Sequence, residues 1–431
     1  MSKYPPQIEI RPLTSRPRAS VRVPGSKSIT NRALVLGALT AAQGGELVLE
    51  GAPQCQDSEV MVNCLCKLGF HVAPDWPASK ITLRRQTSKP MPPAADLFVA
   101  NSGTSMRFLT AMVALGQGRY RLDGVPRMRE RPIEDLLAAL NQLGVHAVSE
   151  NRNGCPPVLI ETRGLPGGSV RIQGGASSQF LSGLLMAAPY ARSDLSIDVD
   201  GTLVSAPYVN MTVAMMRQFD LAIDEDRPGH FHIPAPQRPS SVPRYVIEPD
   251  ASAASYFFGA AAICGGSIGV TGLSANCLQG DVRFVEILEQ MGCRIERATD
   301  ALTVHGGSLH GIDVDMNDIS DTVLTLGAVA CFAEGSTTIR NVAHIRHKET
   351  DRIAALATEL RRVGAMVEEF ADGLTVTPAP LHGGVIETYD DHRIAMSLAL
   401  VGLKIAGIVI DHPACVAKTY PCFFEDLEKL R

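Results

Sequence analysis

The chain has 431 residues, of which 45% are hydrophobic and 20% are charged, and its formal net charge is −5. This length exceeds one ordinary core and predicts two domains, and the composition is typical of folded globular proteins rather than disordered or membrane proteins. The acidic balance disfavours a nucleic-acid partner, because phosphate-backbone binding needs a basic surface. The sequence contains no apparent secretory signal or membrane-spanning segment, so we expect a cytoplasmic protein.

The ten cysteines are scattered along the chain. Cys64 and Cys66 form a Cys-x-Cys pair, and no second pair lies at the spacing of a zinc ribbon. We therefore expect reduced thiols and no structural zinc site.

One pattern recurs six times along the chain: a β-like run, a polar capping residue and a helix of small apolar residues. In five of the copies a second strand and helix lead into a hairpin-like stretch, which makes each unit β-α-β-α-β-β. The sequence thus predicts an α/β fold of two similar domains with three such units each. The predicted starts of the first helices, about 72 residues apart, are near Ser28, Ser102, Ser177, Ser252, Ser320 and Asp391.

The sixth copy lacks the hairpin, whereas the N-terminal segments QIEIRPL and ASVRVPG supply additional strands. We therefore expect one domain of residues 28–247, inserted into a second domain of residues 1–27 and 248–431 that the N-terminal strands close. The alternative is a solenoid repeat that displays a binding surface. Against it, the two termini look complementary, whereas the ends of a solenoid are polar caps.

Polar and cationic side chains gather where predicted strands give way to helices. Such junctions attract phosphates and carboxylates through unpaired N–H groups and the helix dipole. PGSKSITNRA places Lys27, Ser28 and Arg32 on one helical face, and NSGTSMR carries Gly103, which lets an anion approach the backbone. Ordinary N-capping explains any single junction, but the repeated cations favour a ligand. The Walker and GxGxxG nucleotide-binding motifs are both missing.

Two further segments are rich in charge. PRMRERPIED carries Arg127, Arg129 and Arg131, of which some are expected to form surface ion pairs and one to face a ligand. HIRHKETDRIAA places Lys348, Glu349 and Arg352 at the head of a helix, where cations oppose the dipole; an exposed charged helix start is the alternative. The C-terminal half adds Asp321, His392, Arg393 and Lys418.

The blocks PGSKSITNRA, NSGTSMR, PRMRERPI, ASSQFLSGLLMAAP, SAPYVNMT, RHKETDR, YDDHR and AKTYP together resemble the 5-enolpyruvylshikimate-3-phosphate synthases along essentially the full length. The fold of that family, an inside-out α/β barrel of two domains with three β-α-β-α-β-β units each, agrees with the repeat. The resemblance implies transfer of the enolpyruvyl group of phosphoenolpyruvate to the 5-hydroxyl of shikimate 3-phosphate, with phosphate release through a tetrahedral intermediate. The implied activity is that of a 3-phosphoshikimate 1-carboxyvinyltransferase. It belongs to the shikimate pathway, which leads to chorismate and the aromatic amino acids, and enzymes of this family are the target of glyphosate.

The resemblance also implies the site residues. Shikimate 3-phosphate would be bound by Lys27, Ser28, Arg32, Ser177, Ser178, Gln179, Ser205, Tyr208, Asp321, His344 and Lys348. Phosphoenolpyruvate would be bound by Lys27, Gly103, Arg131, Gln179, Arg352, Arg393 and Lys418. Asp321, Glu349 and Lys27 would be catalytic. We expect a monomer with these two small molecules as its partners, without nucleic acid or membrane, and without a metal or organic cofactor.

The UDP-N-acetylglucosamine enolpyruvyl transferases, which share the fold and the donor, are the nearest alternative. They usually carry a Lys-Asn pair near the N-terminus and a reactive loop cysteine. Here the corresponding pair is Lys27-Ser28, and no cysteine lies between Cys66 and Cys155. A non-catalytic repeat protein is the alternative from another class, and it gives no reason to combine the cations with Asp321 and Glu349.

Overall fold

The computed structural model describes residues 3–41, 45–85, 91–240 and 242–431. The chain divides into two compact units. We call Gly25–Ile247 the inserted unit, and Met1–Pro24 together with Glu248–Arg431 the terminal unit.

The inserted unit contains three four-stranded sheets and the helices between their strands. The helices are α1 Lys27–Ala41, α2 Gln56–Lys67, α3 Gly103–Val113, α4 Glu134–Gln142, α5 Ser178–Ala187 and α6 Ala206–Gln218. The strands are β3 Glu46–Glu50, β4 Phe70–Asp75, β5 Lys80–Arg85, β6 Ala94–Phe98, β7 Gln117–Asp123, β8 His146–Ser149, β9 Val158–Arg163, β10 Gly168–Gln173, β11 Leu195–Asp200, β12 Asp224–Arg227, β13 His230–Ile233 and β14 Arg244–Val246. The sheet orders are β14-β3-β5-β4, β6-β7-β9-β8 and β10-β11-β13-β12.

The terminal unit contains two four-stranded sheets and one three-stranded sheet. The helices are α7 Ala251–Cys264, α8 Phe284–Gln290, α9 Val323–Ala330, α10 Arg352–Arg362, α11 His392–Gly402 and α12 Phe423–Glu428. The strands are β1 Gln7–Ile10, β2 Arg18–Val21, β15 Ser267–Thr271, β16 Arg294–Ala298, β17 Ala301–His305, β18 Asp313–Asp315, β19 Thr337–Arg340, β20 Met366–Phe370, β21 Gly373–Thr377, β22 Gly384–Ile386 and β23 Ile408–Asp411. The sheet orders are β16-β17-β15-β2, β18-β19-β21-β20 and β1-β23-β22.

Four of the six repeat copies follow the same pairing rule. In these copies the strands before and after the first helix, such as β6 and β7 around α3, pair in parallel, because a crossover helix returns the chain to the same end of the sheet. The hairpin strands that follow, such as β8 and β9, pair antiparallel. The prediction of an α/β fold built from β-α-β-α-β-β units is thus confirmed.

The chain passes from one unit to the other after β2 and again after β14. As a result β2 pairs in parallel with β15, and β14 pairs in parallel with β3, so each edge strand completes a sheet made by a distant copy. The three-stranded sheet is closed by β1, which pairs antiparallel with β23. The first and last segments of the chain therefore lie in one sheet.

The first helix of each copy lies in the core. In α3 every residue is buried, and in α7 every residue from Ala251 to Ile263 is buried. Helices that are apolar on all sides are stable only when surrounded by other elements. The second helices are amphipathic, and α4 buries one face that contains Leu136, Leu137 and Leu140.

Side-chain caps fix where several of these inner helices begin. Ser102 accepts a hydrogen bond from the amide of Ser105, Asp250 from that of Ala253, and Asp391 from that of Arg393. The fifth predicted start, near Ser320, lies in a 3₁₀ turn, Asn317–Thr322, which is kinked at Ile319 and leads directly into α9. Across the described ranges, every helix is too short or too polar to span a bilayer.

Candidate active site

The start of α1 carries a buried ion pair. Lys27 Nζ lies 3.1 Å from Asp57 Oδ2, and Asp57, in the first turn of α2, is only 2% exposed. Burial removes most of the solvent that would screen this pair, so its attraction is stronger than that of a surface pair. The contact fixes the position of the Lys27 ammonium group.

Arg32 lies one turn further along α1 and is 1% exposed. Its Nε donates to Thr212 Oγ1 at 2.7 Å, and its Nη atoms donate to the carbonyl oxygens of Ser28 and Tyr208 at 3.0 and 3.1 Å. These partners are neutral, and no carboxylate of the described residues forms an ion pair with this guanidinium. Burial lowers the pKa of Arg32 to about 10. A buried cation held only by dipoles is suited to bind an anion.

Gly103, at the first position of α3, lies against two other predicted donor-binding residues. A Cβ atom on Gly103 would lie 2.6 Å from Arg131 Nη2 and 3.2 Å from Gln179 Oε1. Arg131 is 3% exposed, and its Nη1 donates to the carbonyl and side-chain oxygens of Asn101 at 3.1 and 3.2 Å. The structure thus brings these three predicted residues together, and any side chain at position 103 would collide with the guanidinium.

The predicted serines lie at two helix starts. Ser177 caps α5 by accepting the amide N–H of Gln179 at 3.2 Å, and Ser178 is buried at the first position of that helix. Ser205 precedes α6 with a left-handed φ of +52°, a strained conformation for a residue with a side chain. The Arg32 guanidinium lies over the ring of Tyr208, in the first turn of α6, with 5.9 Å between the guanidinium carbon and the ring centroid.

In the terminal unit, Arg352 is the centre of a buried charge network. Its guanidinium donates to Asp321 Oδ1 at 3.2 Å, to Glu349 Oε2 at 2.9 Å and to Asp391 Oδ2 at 2.8 Å. Although burial opposes its charge, Asp391, Glu349 and Asp321 together raise the pKa of Arg352 above its ordinary value. The predicted pair of catalytic carboxylates is therefore held on one guanidinium.

Two other predicted cations join the same network. Arg393 Nη2 donates to Asp321 Oδ2 at 2.7 Å, and Lys418 Nζ lies 3.3 Å from Glu349 Oε1. Arg393 is 6% exposed and Lys418 is 5% exposed. Each of the two carboxylates thus contacts two cations.

His344 and Lys348 flank this network on a 3₁₀ turn, Ala343–His347, and the residue after it. Burial, and secondarily the charge of Lys348, lowers the pKa of His344 to about 3. His344 is therefore neutral near pH 7 and offers a neutral hydrogen-bonding group.

The other candidate arginines serve structural contacts. Arg127 pairs with Glu130 at 2.8 Å, and Arg129 pairs with Asp123 at 2.8 Å, as expected for surface ion pairs. Arg107 Nη2 donates to the carbonyl oxygen of Pro132 at 2.7 Å.

The predicted helix start at Lys348 and Glu349 lies instead before α10, which begins at Arg352 behind the capping residue Asp351. Since Asp321, Glu349 and Asp391 compensate its charge, Arg352 can occupy the dipole's positive end.

Sequence reasoning did not assign Asp57, Asn101 or Asp391 to the site. Asp57 looks like an ordinary acidic residue in the first turn of a helix, and only the fold places it beside Lys27. Asp391 was predicted only as a helix start, although its place directly before a helix that carries Arg393 was a signal that could have pointed to the site. Among the residues that the structure describes, no group of three His, Cys, Asp or Glu side chains is arranged to hold a metal ion.

These contacts define an α/β protein with buried cations at strand-to-helix junctions, a class suited to small anionic ligands. A family model described as "EPSP synthase (3-phosphoshikimate 1-carboxyvinyltransferase)" matches residues 13–427. The chain belongs to this family. It is 48% identical to the 3-phosphoshikimate 1-carboxyvinyltransferase of Trichormus variabilis, over 97% of this chain and 98% of that one, and 42% identical to that of Aliivibrio salmonicida, over 98% and 99%. The structure of EPSP synthase from Acinetobacter baumannii superimposes with a TM-score of 0.81 at 25% identity, covering 98% of both chains.

Proposed function

We propose that the chain transfers the enolpyruvyl group of phosphoenolpyruvate to the 5-hydroxyl of shikimate 3-phosphate and releases phosphate. The single observation that carries this proposal is the family match over residues 13–427, with close relatives of one activity along nearly the whole chain. The alternative with UDP-N-acetylglucosamine as acceptor is not favoured, because the relatives bear the name of the shikimate enzyme. We assign the chain to the shikimate pathway, in the cytoplasm and as a monomer.

The acceptor is assigned to the group around Arg32. Its buried guanidinium, held by neutral partners, would pair with the shikimate carboxylate through charge-assisted hydrogen bonds. Ser177, Ser178, Ser205 and Lys348 would surround the phosphate. Tyr208 and Gln179 would pack against the ring, and Ser28 and His344 would supply further polar contacts.

The donor is assigned to a group of four cations. Arg131 beside Gly103, together with Arg352, Arg393 and Lys418, would face its carboxylate and phosphate. Gly103 is required in this assignment because a side chain there would occupy the space of the guanidinium.

The reaction needs two proton transfers. Asp321 would remove the proton of the 5-hydroxyl as its oxygen bonds to the central carbon of phosphoenolpyruvate, while Glu349 would give a proton to the methylene carbon. The resulting tetrahedral intermediate carries a methyl group and the phosphate. Glu349 would then take back a methyl proton as the C–O bond to phosphate breaks, which restores the vinyl group, and the proton held by Asp321 would pass to the departing phosphate. Arg352, bonded to both carboxylates, supports these roles because it fixes where their oxygens lie.

A phosphate-release assay tests the proposal. The purified chain should release inorganic phosphate only when both substrates are present, and solvent deuterium should enter the vinyl position because the methyl protons exchange. Replacing the acceptor by UDP-N-acetylglucosamine should give no phosphate. Release with that acceptor, and none with shikimate 3-phosphate, would refute the assignment.

A further inference from the structure

In the terminal unit, a strained turn lies directly before residues of the proposed donor site. Tyr389 and Asp390 have φ angles of +53° and +52°, two successive left-handed residues with side chains. Such conformations are disfavoured and persist only where neighbouring contacts hold them. The turn leads directly into Asp391, which caps α11, and into Arg393.

Glu359, on α10, holds this turn. Its side chain is 0% exposed, and its carboxylate accepts hydrogen bonds from the Tyr389 hydroxyl at 2.8 Å and from the main-chain N–H of Glu387 at 3.1 Å. Arg362 supplies the compensating charge, with its Nε 2.8 Å from Glu359 Oε2. Burial and the Glu359 carboxylate raise the pKa of Tyr389 to about 12, so its hydroxyl keeps the proton that it donates.

One face of α10 contacts the segment of residues 387–391 at two points. Arg352 and Glu359 are seven residues apart, close to two helical turns, and therefore lie on one face. Arg352 contacts Asp391, and Glu359 contacts Glu387 and Tyr389. The turn also borders a cavity of about 510 Å³, lined by Tyr389, Asp390, His412 and Arg362 of α10, among others. Packing around the turn is therefore incomplete, and the hydrogen bonds to α10 provide the restraint.

We propose that Glu359 is a positioning residue, whose buried carboxylate holds the 387–390 turn so that Asp391 meets Arg352 and Arg393 is aimed at the donor. Glu359 touches neither substrate in this proposal. Its effect passes through Asp391, which accepts hydrogen bonds from the Arg352 side chain and from the amide of Arg393. The assignment of the donor to these arginines rests on the proposed function.

Three variants separate positioning from stability. Tyr389→Phe removes one hydrogen bond to the turn, Glu359→Gln replaces an acceptor oxygen by a donor, and Arg361→Gln is the control, because Arg361 lies exposed on α10 and donates to the carbonyl oxygen of Val367 rather than to the turn. We expect Tyr389→Phe to raise the KM for phosphoenolpyruvate roughly 5- to 20-fold, less than the about 10- to 150-fold of a directly lost hydrogen bond to a charged group because the effect on the donor is indirect, and Glu359→Gln to raise it further. The KM for shikimate 3-phosphate should stay within about twofold, and Arg361→Gln should change neither KM.

Hydrogen exchange tests the holding role without any substrate. In Tyr389→Phe the amides of residues 387–393 should exchange faster than in the unmodified chain, whereas those of α7 should be unchanged. Unaltered exchange, equal increases in both KM values, or an Arg361→Gln effect on the donor as large as that of Tyr389→Phe would overturn the proposal. A chain with no phosphate release at all would refute the proposed function instead, and the exchange experiment would still decide whether Glu359 holds the turn.

Discussion

Replacement of Arg32 by alanine should weaken the binding of shikimate 3-phosphate without a comparable effect on phosphoenolpyruvate. Burial lowers the pKa of Arg32 from 12.5 to about 10, so Arg32 stays charged at pH 7, but its charge is less stable in the fold than in water. One pKa unit corresponds to 1.36 kcal/mol, which gives about 3 kcal/mol that a bound carboxylate could return. A lost charge-assisted hydrogen bond is worth about 1.5–3 kcal/mol, so the two estimates agree.

The measurement is isothermal titration of shikimate 3-phosphate into the variant and the unmodified chain at pH 7. The expected loss of roughly 1.5–3 kcal/mol corresponds to about 10- to 150-fold in Kd. Arg171→Ala is a suitable control, because Arg171 lies exposed on β10 and has no assigned role. If Arg32→Ala kept the Tm of the unmodified chain and changed the Kd less than twofold, the result would show that this buried cation does not bind the acceptor carboxylate.

Four further results are expected. Arg131→Ala should raise the KM for phosphoenolpyruvate by about tenfold or more. Arg129→Ala, two positions earlier, should not, because Arg129 pairs with Asp123 at the surface. Equal effects of the two variants would contradict the assignment. Asp321→Asn and Glu349→Gln should each lower kcat about 10²–10⁴-fold while binding persists, the usual contribution of a general acid or base, and near-normal turnover in either would exclude that role. His344→Asn should leave the pH profile of kcat unchanged between pH 5 and 9, since a pKa of about 3 keeps His344 neutral there; a lost ionisation would be inconsistent. Activity should survive EDTA, and loss that a divalent ion restores would show a metal requirement.

The sequence alone indicated the fold class through its repeat. Helix and strand periodicity and capping residues are local properties, so the copies could be counted and the hairpins placed before the pairing of strands was known. The helix predicted near Ser320 becomes α-helical only at Val323, because a 3₁₀ turn leads into it, and no residue type in that segment signals such a turn.

The candidate site divides in a similar way. Lys27, Arg131, Asp321 and Arg352 could be named as candidates because motif residues keep their order along the chain, and their roles stay predictions. Their partners could not be predicted in the same way, since Asp57 meets Lys27 across 30 positions and Asp391 meets Arg352 across 39.

What the sequence by itself determined is the six-copy repeat, the two-domain α/β class and the identity of most charged residues at the helix starts. Only the tertiary structure decided which arginines are surface pairs, which carboxylates share one guanidinium, and that Glu359 holds the turn before Asp391. The physical reason is that capping and periodicity depend on neighbours in the chain, whereas desolvation and ion pairing depend on what surrounds a side chain in space.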